Sequence, residues 1–194
     1  MMEKTQLQAR IRAAFKNVPY PGDDNIGDPL GRDDAEGVTE WLRGVNWRTL
    51  SRRKDLWNLG LYFMTPEACH YYLPAYLLVA LKHPYSSAVG GVTLRLRPYD
   101  GPHPYPKEIF SQFVSLLSPD QKQVIRDFLS YGRDAIVEYF LKQEEEEVAE
   151  LYEKEGEAVT EESIEIYRSS CAWREIGERE RTDFTALIEF WSHV

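Results

Sequence analysis

LYFMTPEACHYYLPAYLLVALKH, residues Leu61–His83, is the longest apolar run in the chain, and we expect the other segments to pack around it. It carries its own helix start signal. Thr65 is a good N-cap, Pro66 suits the first turn, and Glu67 complements the positive end of a helix. Apolar residues cover most of its sides, which is typical of a helix that is buried on most sides. Pro74 lies inside the run and removes a helical hydrogen bond, so we expect a kink there.

Most of the remaining chain also shows the 3.6-residue period of helices. The expected helices are Lys4–Phe15, Asp33–Gly44, Trp47–Trp57, Lys107–Leu117, a helix from Ser118 to Lys142 that Gly132 either divides or bends, Ile164–Ile176 and Asp183–Trp191. The sequence therefore predicts a mainly α fold. We expect a compact single-domain helical bundle over residues 1–194, with one short extended segment and an acidic helical part from about residue 144.

The extended segment is Val92–Arg97, VTLRLR, the clearest alternation of apolar and polar residues in the chain. Gly90 and Gly91 before it are a turn signal, and the proline-rich Pro98–Pro106 after it predicts irregular structure. A single strand cannot form a sheet. The segment is thus interpreted as an extended arm, as part of a minor hairpin, or as a contact between copies of the chain.

The net charge is −9, and it is unevenly distributed. Residues 144–194 contain 16 acidic and 5 basic residues, a net of −11, whereas residues 1–143 carry a net of +2. A nucleic-acid partner is disfavoured because phosphate neutralisation requires a basic face. An acidic surface can steer a basic protein partner. The alternative interpretation is a solvated helix face that keeps the protein soluble.

Several features indicate a cytoplasmic protein without a membrane segment. Cys69 and Cys171 are the only cysteines and form no CxxC motif, so we expect free thiols in a reducing compartment. The N-terminal stretch Met1–Lys16 is charged and lacks the apolar core of a signal peptide. The apolar run Leu73–Leu81 is too short to span a bilayer.

The loop YPGDDNI, Tyr20–Ile26, is the most distinctive polar segment. Together with Asp28, its side chains Asp23, Asp24 and Asn25 offer the hard oxygen ligands that a divalent cation prefers. Their spacing is not that of an EF-hand. The alternative is a structural loop whose acids cap the following helix and bond the loop's own backbone.

Glu67 and His70 are three residues apart on the central helix, a spacing used by metal-binding helix bundles. Such bundles repeat the motif on a second helix, and this chain has no second copy, so a structural histidine is the other interpretation. Cys69 and His70 are adjacent and would face different sides of the helix, which makes a poor catalytic pair. The sequence has no glycine-rich phosphate loop, no GxSxG and no HExxH, and we expect no cofactor.

The YPGDDNI loop, the tryptophan-containing segment after it and the run FMTPEACHYYLPAYLLVAL together resemble a bacterial family of small domains of unknown function. That family is marked by a Tyr-Pro-Gly-Asp loop and a Thr-Pro-Glu-Ala…Tyr-Tyr-Leu-Pro-Ala helix. The resemblance covers roughly the first half of the chain and part of the helix that begins at Ser118. It implies no known catalytic residues.

Two functions follow from these observations as hypotheses. The first is a non-catalytic protein-binding domain, such as an immunity or antitoxin-like protein that neutralises a basic toxin domain through an acidic, aromatic surface. The second is a metal- or small-ligand-binding enzyme domain that uses the Asp-rich loop. Oligomeric state is left open. The candidate binding residues are Tyr20, Asp23, Asp24, Asn25, Asp28, Glu67, His70, Glu144, Glu145, Glu146 and Glu147.

Overall fold

A computed structural model describes residues 3–52, 56, 60–83, 87–99, 101, 104–155, 160 and 172–194. Within these ranges the chain is built from helices and turns, which confirms the mainly α prediction. The α-helices are α1 Lys4–Ala14, α2 Arg32–Leu42, α3 Trp47–Leu50, α4 Pro66–Lys82, α5 Ser87–Leu96, α6 Pro104–Leu116, α7 Pro119–Glu155 and α8 Ala172–Ser192. Two short 3-10 helices, Pro29–Gly31 and Gly60–Phe63, precede α2 and α4. No helix in the described ranges has the length and apolar character needed to cross a bilayer.

Helix α4 is the centre of the molecule, as its sequence predicts. The side chain of Thr65 caps it by accepting a hydrogen bond from the Ala68 N–H at 3.1 Å. Every residue from Tyr71 to Leu81 is buried, and α4 packs against α1, α3, α5 and α6. The helix continues through Pro74. A helix with neighbours on all sides has no polar face, which explains its apolar composition.

Helix α7 starts where the sequence predicts and runs further than expected. Ser118 and Gln121 form a capping box, with the Gln121 N–H bonded to Ser118 Oγ at 3.2 Å and the Ser118 N–H to Gln121 Oε1 at 2.9 Å. The helix does not end at Gly132. Instead, α8 packs closely there, and a Cβ added to Gly132 would lie 2.8 Å from Phe184 Cε1. The glycine therefore permits a close contact between two helices.

The C-terminal helix α8 buries the predicted apolar face, with Phe184, Leu187 and Trp191 in the core and Ile188 partly buried. It packs along α7 more extensively than any other pair of described helices. The separate helix predicted at Ile164–Ile176 falls largely outside the described residues.

The prediction of an extended segment at Val92–Arg97 is wrong, because Val92–Leu96 form the second half of α5 and Arg97 follows directly after the helix. Ala88, Val92 and Leu96 recur at a spacing of four and are all buried against the core. Within a segment of only six residues, apolar residues at helical spacing can also alternate with polar ones. The sequence pattern alone therefore did not distinguish a strand from a helix. Likewise, α6 begins inside the proline-rich segment, since proline is tolerated in the first turn of a helix.

Several helix C-termini are capped in the same way. The last carbonyls of a helix have no partner within that helix. Here, side chains from distant elements donate hydrogen bonds to them, and we call these bonds cross-caps. The cross-caps are Gln121 Nε2 to Ala14 O at 3.1 Å, Tyr72 Oη to Leu42 O at 2.9 Å, Trp191 Nε1 to Leu96 O at 2.9 Å, and Arg126 Nη1 to Trp191 O at 2.8 Å.

Candidate functional site

The YPGDDNI loop begins with a tight turn at Gly22. This residue has a φ of +94°, which glycine adopts without steric cost. The turn is closed by a hydrogen bond of 3.2 Å from the Asn25 N–H to the Gly22 carbonyl. The Tyr-Pro-Gly-Asp sequence thereby holds Tyr20 and Asp23 on the same side of the turn.

Tyr20 and Asp23 use their polar atoms to tie this turn to the end of α2. The Tyr20 hydroxyl donates to Asp23 Oδ1 at 2.6 Å and accepts from the Gly44 N–H at 2.8 Å. The same N–H lies 3.2 Å from Asp23 Oδ1, and Gly44 has the positive φ common just after a helix. Burial and the neighbouring Asp23 carboxylate raise the pKa of Tyr20. These bonds have a structural role, because they hold the turn against the backbone that follows α2.

Two tyrosines of α4 connect Tyr20 to the core through a series of ring contacts. The ring of Tyr71 meets the Tyr20 ring edge-on at 5.4 Å and the Tyr72 ring at 4.9 Å. The Tyr72 hydroxyl donates to the carbonyls of Leu42 and Val45. Burial raises the pKa of Tyr72 well above its ordinary value, so this hydroxyl keeps its proton at neutral pH and serves as a hydrogen-bond donor.

The other end of the loop is bound to the start of α4 through Thr65. Its hydroxyl donates to the Asn25 carbonyl at 2.9 Å while accepting from the Ala68 N–H, and its own N–H donates to the Ile26 carbonyl at 3.0 Å. One threonine therefore caps the central helix and holds the loop. An isolated β-bridge between Gly27 and Met64 continues this pairing.

Asp28 is buried and supports the turn that follows it. Its Oδ1 accepts a hydrogen bond from the Leu30 N–H at 2.9 Å, and its N–H donates to the Phe63 carbonyl at 2.7 Å. Asp24 is exposed. Across the part of the chain that the structure describes, no three His, Cys, Asp or Glu side chains come close enough together to hold a metal ion. Asp23 and Asp28 match the structural alternative for this loop.

The structure does not pair His70 with Glu67, which is exposed in the first turn of α4. His70 Nε2 instead lies 2.9 Å from Gln121 Oε1. The amide orientation of Gln121 is fixed, because its nitrogen donates to the Ala14 carbonyl and its oxygen accepts from the Ser118 N–H. His70 Nε2 must therefore carry a proton and donate it. The histidine joins α4 to the start of α7.

We expect the stability of the protein to fall below about pH 6.5 in part because of His70, whose burial lowers its pKa despite the opposing effect of the Gln121 hydrogen bond. Between the lowered value and the ordinary 6.5, the unfolded chain binds more protons than the folded one, so the free energy of unfolding rises with pH in that window. Urea unfolding from pH 5 to 8 tests this. His70→Gln should show a flatter profile than wild type, and parallel profiles would contradict the assignment.

An exposed apolar pair that was not predicted from the sequence lies on the two 3-10 helices. Leu30 is 63% exposed and Tyr62 is 46% exposed. The backbone bond from Asp28 to Phe63 joins the two turns, so these side chains lie on neighbouring turns that both contact α2. The Tyr62 and Phe63 rings meet edge-on at 5.4 Å.

The segments that carry or contact this pair are rich in acidic residues. Between Tyr20 and Gly44 the chain has seven acidic and two basic residues, a net of −5, within a larger segment that is nearly neutral. Counting charge in shorter windows would have revealed this second acidic region. We define the Leu30 face as Leu30 and Tyr62 with the exposed acids of the adjoining loop and of the helices α2 and α4 that contact these turns, Asp24, Asp34, Glu36 and Glu67.

The acidic C-terminal candidates Glu144–Glu147 lie in the second half of α7. Glu146 is exposed and pairs with Lys142 at 3.3 Å, one helical turn earlier. The side chains of Glu144, Glu145 and Glu147 fall outside what the structure describes. They lie more than a hundred residues after the loop candidates, so the candidate residues belong to two acidic regions of the sequence.

The comparisons with known proteins place the chain in a family. A model of DUF6714, described as a family of unknown function, matches residues 3–151, and the chain belongs to this family. The match includes the YPGDDNI loop and α4, and it ends within α7. A search of curated proteins and a search of solved structures both found no match.

Proposed function

We propose that this chain is a non-catalytic protein-binding domain that holds a basic partner, as an immunity or antitoxin-like protein of the bacterial cytoplasm would. The observation that supports this proposal is the composition of the Leu30 face. Protein-binding surfaces combine a small number of apolar or aromatic anchors with a polar rim. Leu30 and Tyr62 supply such anchors, and the acids of the Leu30 face supply a rim of one sign.

The anchors are held in place before any partner arrives. The Leu30 backbone is bonded to the buried Asp28 carboxylate, and the turn that carries Tyr62 is bonded to the same residue through Phe63. A turn whose backbone is already ordered loses less conformational entropy on binding. Exposed apolar residues on turns that are held in this way thus favour a binding role for this face.

Charge favours a basic partner. The net of −5 between Tyr20 and Gly44 repels acidic surfaces at short range. The net of −11 in residues 144–194 adds a longer-range field that accelerates the approach of a cationic protein, most strongly at low salt. The contacts of Asp23 and Asp28 support this choice over an enzyme domain, because both carboxylates already accept hydrogen bonds that hold the loop in place.

We also propose that the Tyr-Pro-Gly-Asp loop and the Thr-Pro-Glu-Ala helix start are the segments that define the family. Both lie inside residues 3–151. They depend on each other physically, since Thr65 caps α4 and bonds Asn25 of the loop. A change in either segment would disturb the other, so members of the family would retain both segments together.

The test begins with affinity purification of the wild-type chain from its native cell and mass spectrometry of what is retained. The isolated partner is then titrated against Leu30→Arg and against Leu94→Arg by calorimetry. Leu94 is a matched control, because it is a 42% exposed leucine of α5 that is not one of the residues of the Leu30 face. We expect a basic partner that binds Leu30→Arg about 30-fold or more weakly, a loss of ~2 kcal/mol, and Leu94→Arg as tightly as wild type.

The proposal fails if no protein is retained in stoichiometric amount. It also fails if the retained partner is acidic, or if Leu30→Arg binds it as tightly as Leu94→Arg does. Charge reversal of Glu144–Glu147 is a separate variant, which we expect to slow association and weaken its salt dependence while leaving the Leu30 contact intact.

A further inference from the structure

Arg95 is an arginine buried in the apolar core. It lies on α5 and is only 6% exposed. Its Nε donates a hydrogen bond to the Cys69 sulfur of α4 at 3.1 Å, and its guanidinium lies 5.2 Å from the ring centroid of Phe113 on α6. The side chain is thus enclosed by three helices.

The positive charge of Arg95 has no carboxylate partner among the described residues. Its Nη2 is fully buried and has no hydrogen-bond partner in the described part of the chain. Arg97, two residues later, shows the usual arrangement, because it is half-exposed and bonds Asp183 at 2.9 Å. Arginine does not lose its proton inside proteins, and an uncompensated buried charge is strongly unfavourable. Arg95 therefore requires an anion that the described side chains do not supply.

The Cys69 thiol does not serve as that anion. Burial raises the pKa of Cys69, and this effect outweighs the opposing influence of Arg95. The sulfur is consequently a neutral and weak acceptor at neutral pH. Its hydrogen bond orients the guanidinium but leaves the charge in place.

A second unpaired donor lies near the same thiol. The Tyr76 hydroxyl is buried without a hydrogen-bond partner and packs on Gly60. Tyr76 follows Cys69 by two helical turns on the same side of α4. Burial first, and the charge of a Cys69 thiolate second, raise the pKa of Tyr76, which places the two groups within electrostatic reach. Two buried donors without a partner among the described residues thus interact with Cys69, Arg95 through a hydrogen bond and Tyr76 through its electrostatic field.

We propose that a small monovalent anion, with chloride as the simplest example, binds in the core at Arg95. It accepts from Nη2 and neutralises the guanidinium, with the Tyr76 hydroxyl as a second donor. Arg95 is only 6% exposed and its guanidinium lies 5.2 Å from the Phe113 ring centroid, so the proposed occupant is a monatomic ion and not a metabolite. A water molecule would satisfy the hydrogen bonds but would leave the charge uncompensated.

The test measures unfolding of the full chain at constant ionic strength while sodium chloride or sodium bromide replaces sodium gluconate. Gluconate is too large to enter the site. A ligand that binds only the folded state stabilises it in proportion to ln(1 + [anion]/Kd). We expect the melting temperature to rise logarithmically with chloride and with bromide but not with gluconate. Crystals grown in bromide should show an anomalous scattering peak beside Arg95.

Three variants connect the effect to the site. Arg95→Met should abolish the halide dependence and be at least as stable as wild type in gluconate, because it removes a buried charge. Tyr76→Phe keeps the charge and should weaken halide binding several-fold. Arg97→Met is the matched control, one residue beyond the end of the same helix, and it should keep the full halide response.

The inference is overturned if chloride and gluconate stabilise the wild type equally, or if Arg95→Met retains the chloride response. Should Arg95→Met fail to fold, Tyr76→Phe and the bromide peak decide the question. An unchanged response in Tyr76→Phe together with no bromide peak at Arg95 would show that water occupies the site.

Discussion

Replacing Trp191 by alanine is expected to lower the free energy of unfolding by about 5 kcal/mol. The indole is fully buried, and its ring meets the rings of Phe110 and Phe190 edge-on. Its N–H also forms the cross-cap on Leu96, so the variant leaves both a cavity and an unpaired carbonyl at the end of α5. Urea unfolding monitored by circular dichroism gives the change.

Trp191→Phe is the matched control. It keeps most of the ring packing and loses the N–H, so we expect a cost of about 1–2 kcal/mol. The comparison also tests our proposal that residues 1–194 form one domain, because Trp191 lies beyond the family match at 3–151. A loss below 2 kcal/mol in Trp191→Ala, or a separate early transition of the C-terminal helix, would contradict that proposal.

Replacing Gly27 by alanine is expected to cost about 3 kcal/mol. A Cβ at this position would collide with the Ala35 carbonyl of α2 and lie 2.6 Å from Thr39 Oγ1. The carbonyl belongs to helix backbone and cannot move cheaply. The Gly27 N–H also donates to Thr39 Oγ1 at 3.0 Å, a bond that any shift would break. Thermal and urea unfolding measure the loss.

Gly90→Ala is the control, and its expected effect has the opposite sign. Gly90 lies inside α5 with no atom within 4 Å of an added Cβ. The change should stabilise the protein by about 0.5–1 kcal/mol, because alanine favours a helix more than glycine does. Equal stability of Gly27→Ala and wild type would show that α2 can move away from the loop.

Features that depend on local chemistry could be predicted from the sequence. Thr65 with Pro66 and Ser118 with Gln121 mark the starts of α4 and α7, because a cap involves atoms only three residues apart. The apolar faces of α1 and α8 were also predictable, since their spacing is regular over several turns.

Features that depend on contacts between distant segments could not be predicted. Val92–Arg97 has too few residues to separate the two periods, and its packing against α4 decides for a helix. The burial of Arg95 and the exposure of Leu30 contradict the usual preferences of these residues, so composition gave no signal for either. The burial of Arg95 and the exposure of Leu30 both depend on which elements pack next to these residues in the fold.

The cross-caps have a consequence for how fast the chain can fold. Isolated helices of this kind form within about a microsecond. The bonds that close their ends, however, join residues 107, 95, 65 and 30 positions apart in the sequence. Such contacts require large loops to close first, and folding slows as the mean sequence separation of contacts grows. This helical protein should therefore reach its native state more slowly than a bundle whose helices contact only their chain neighbours.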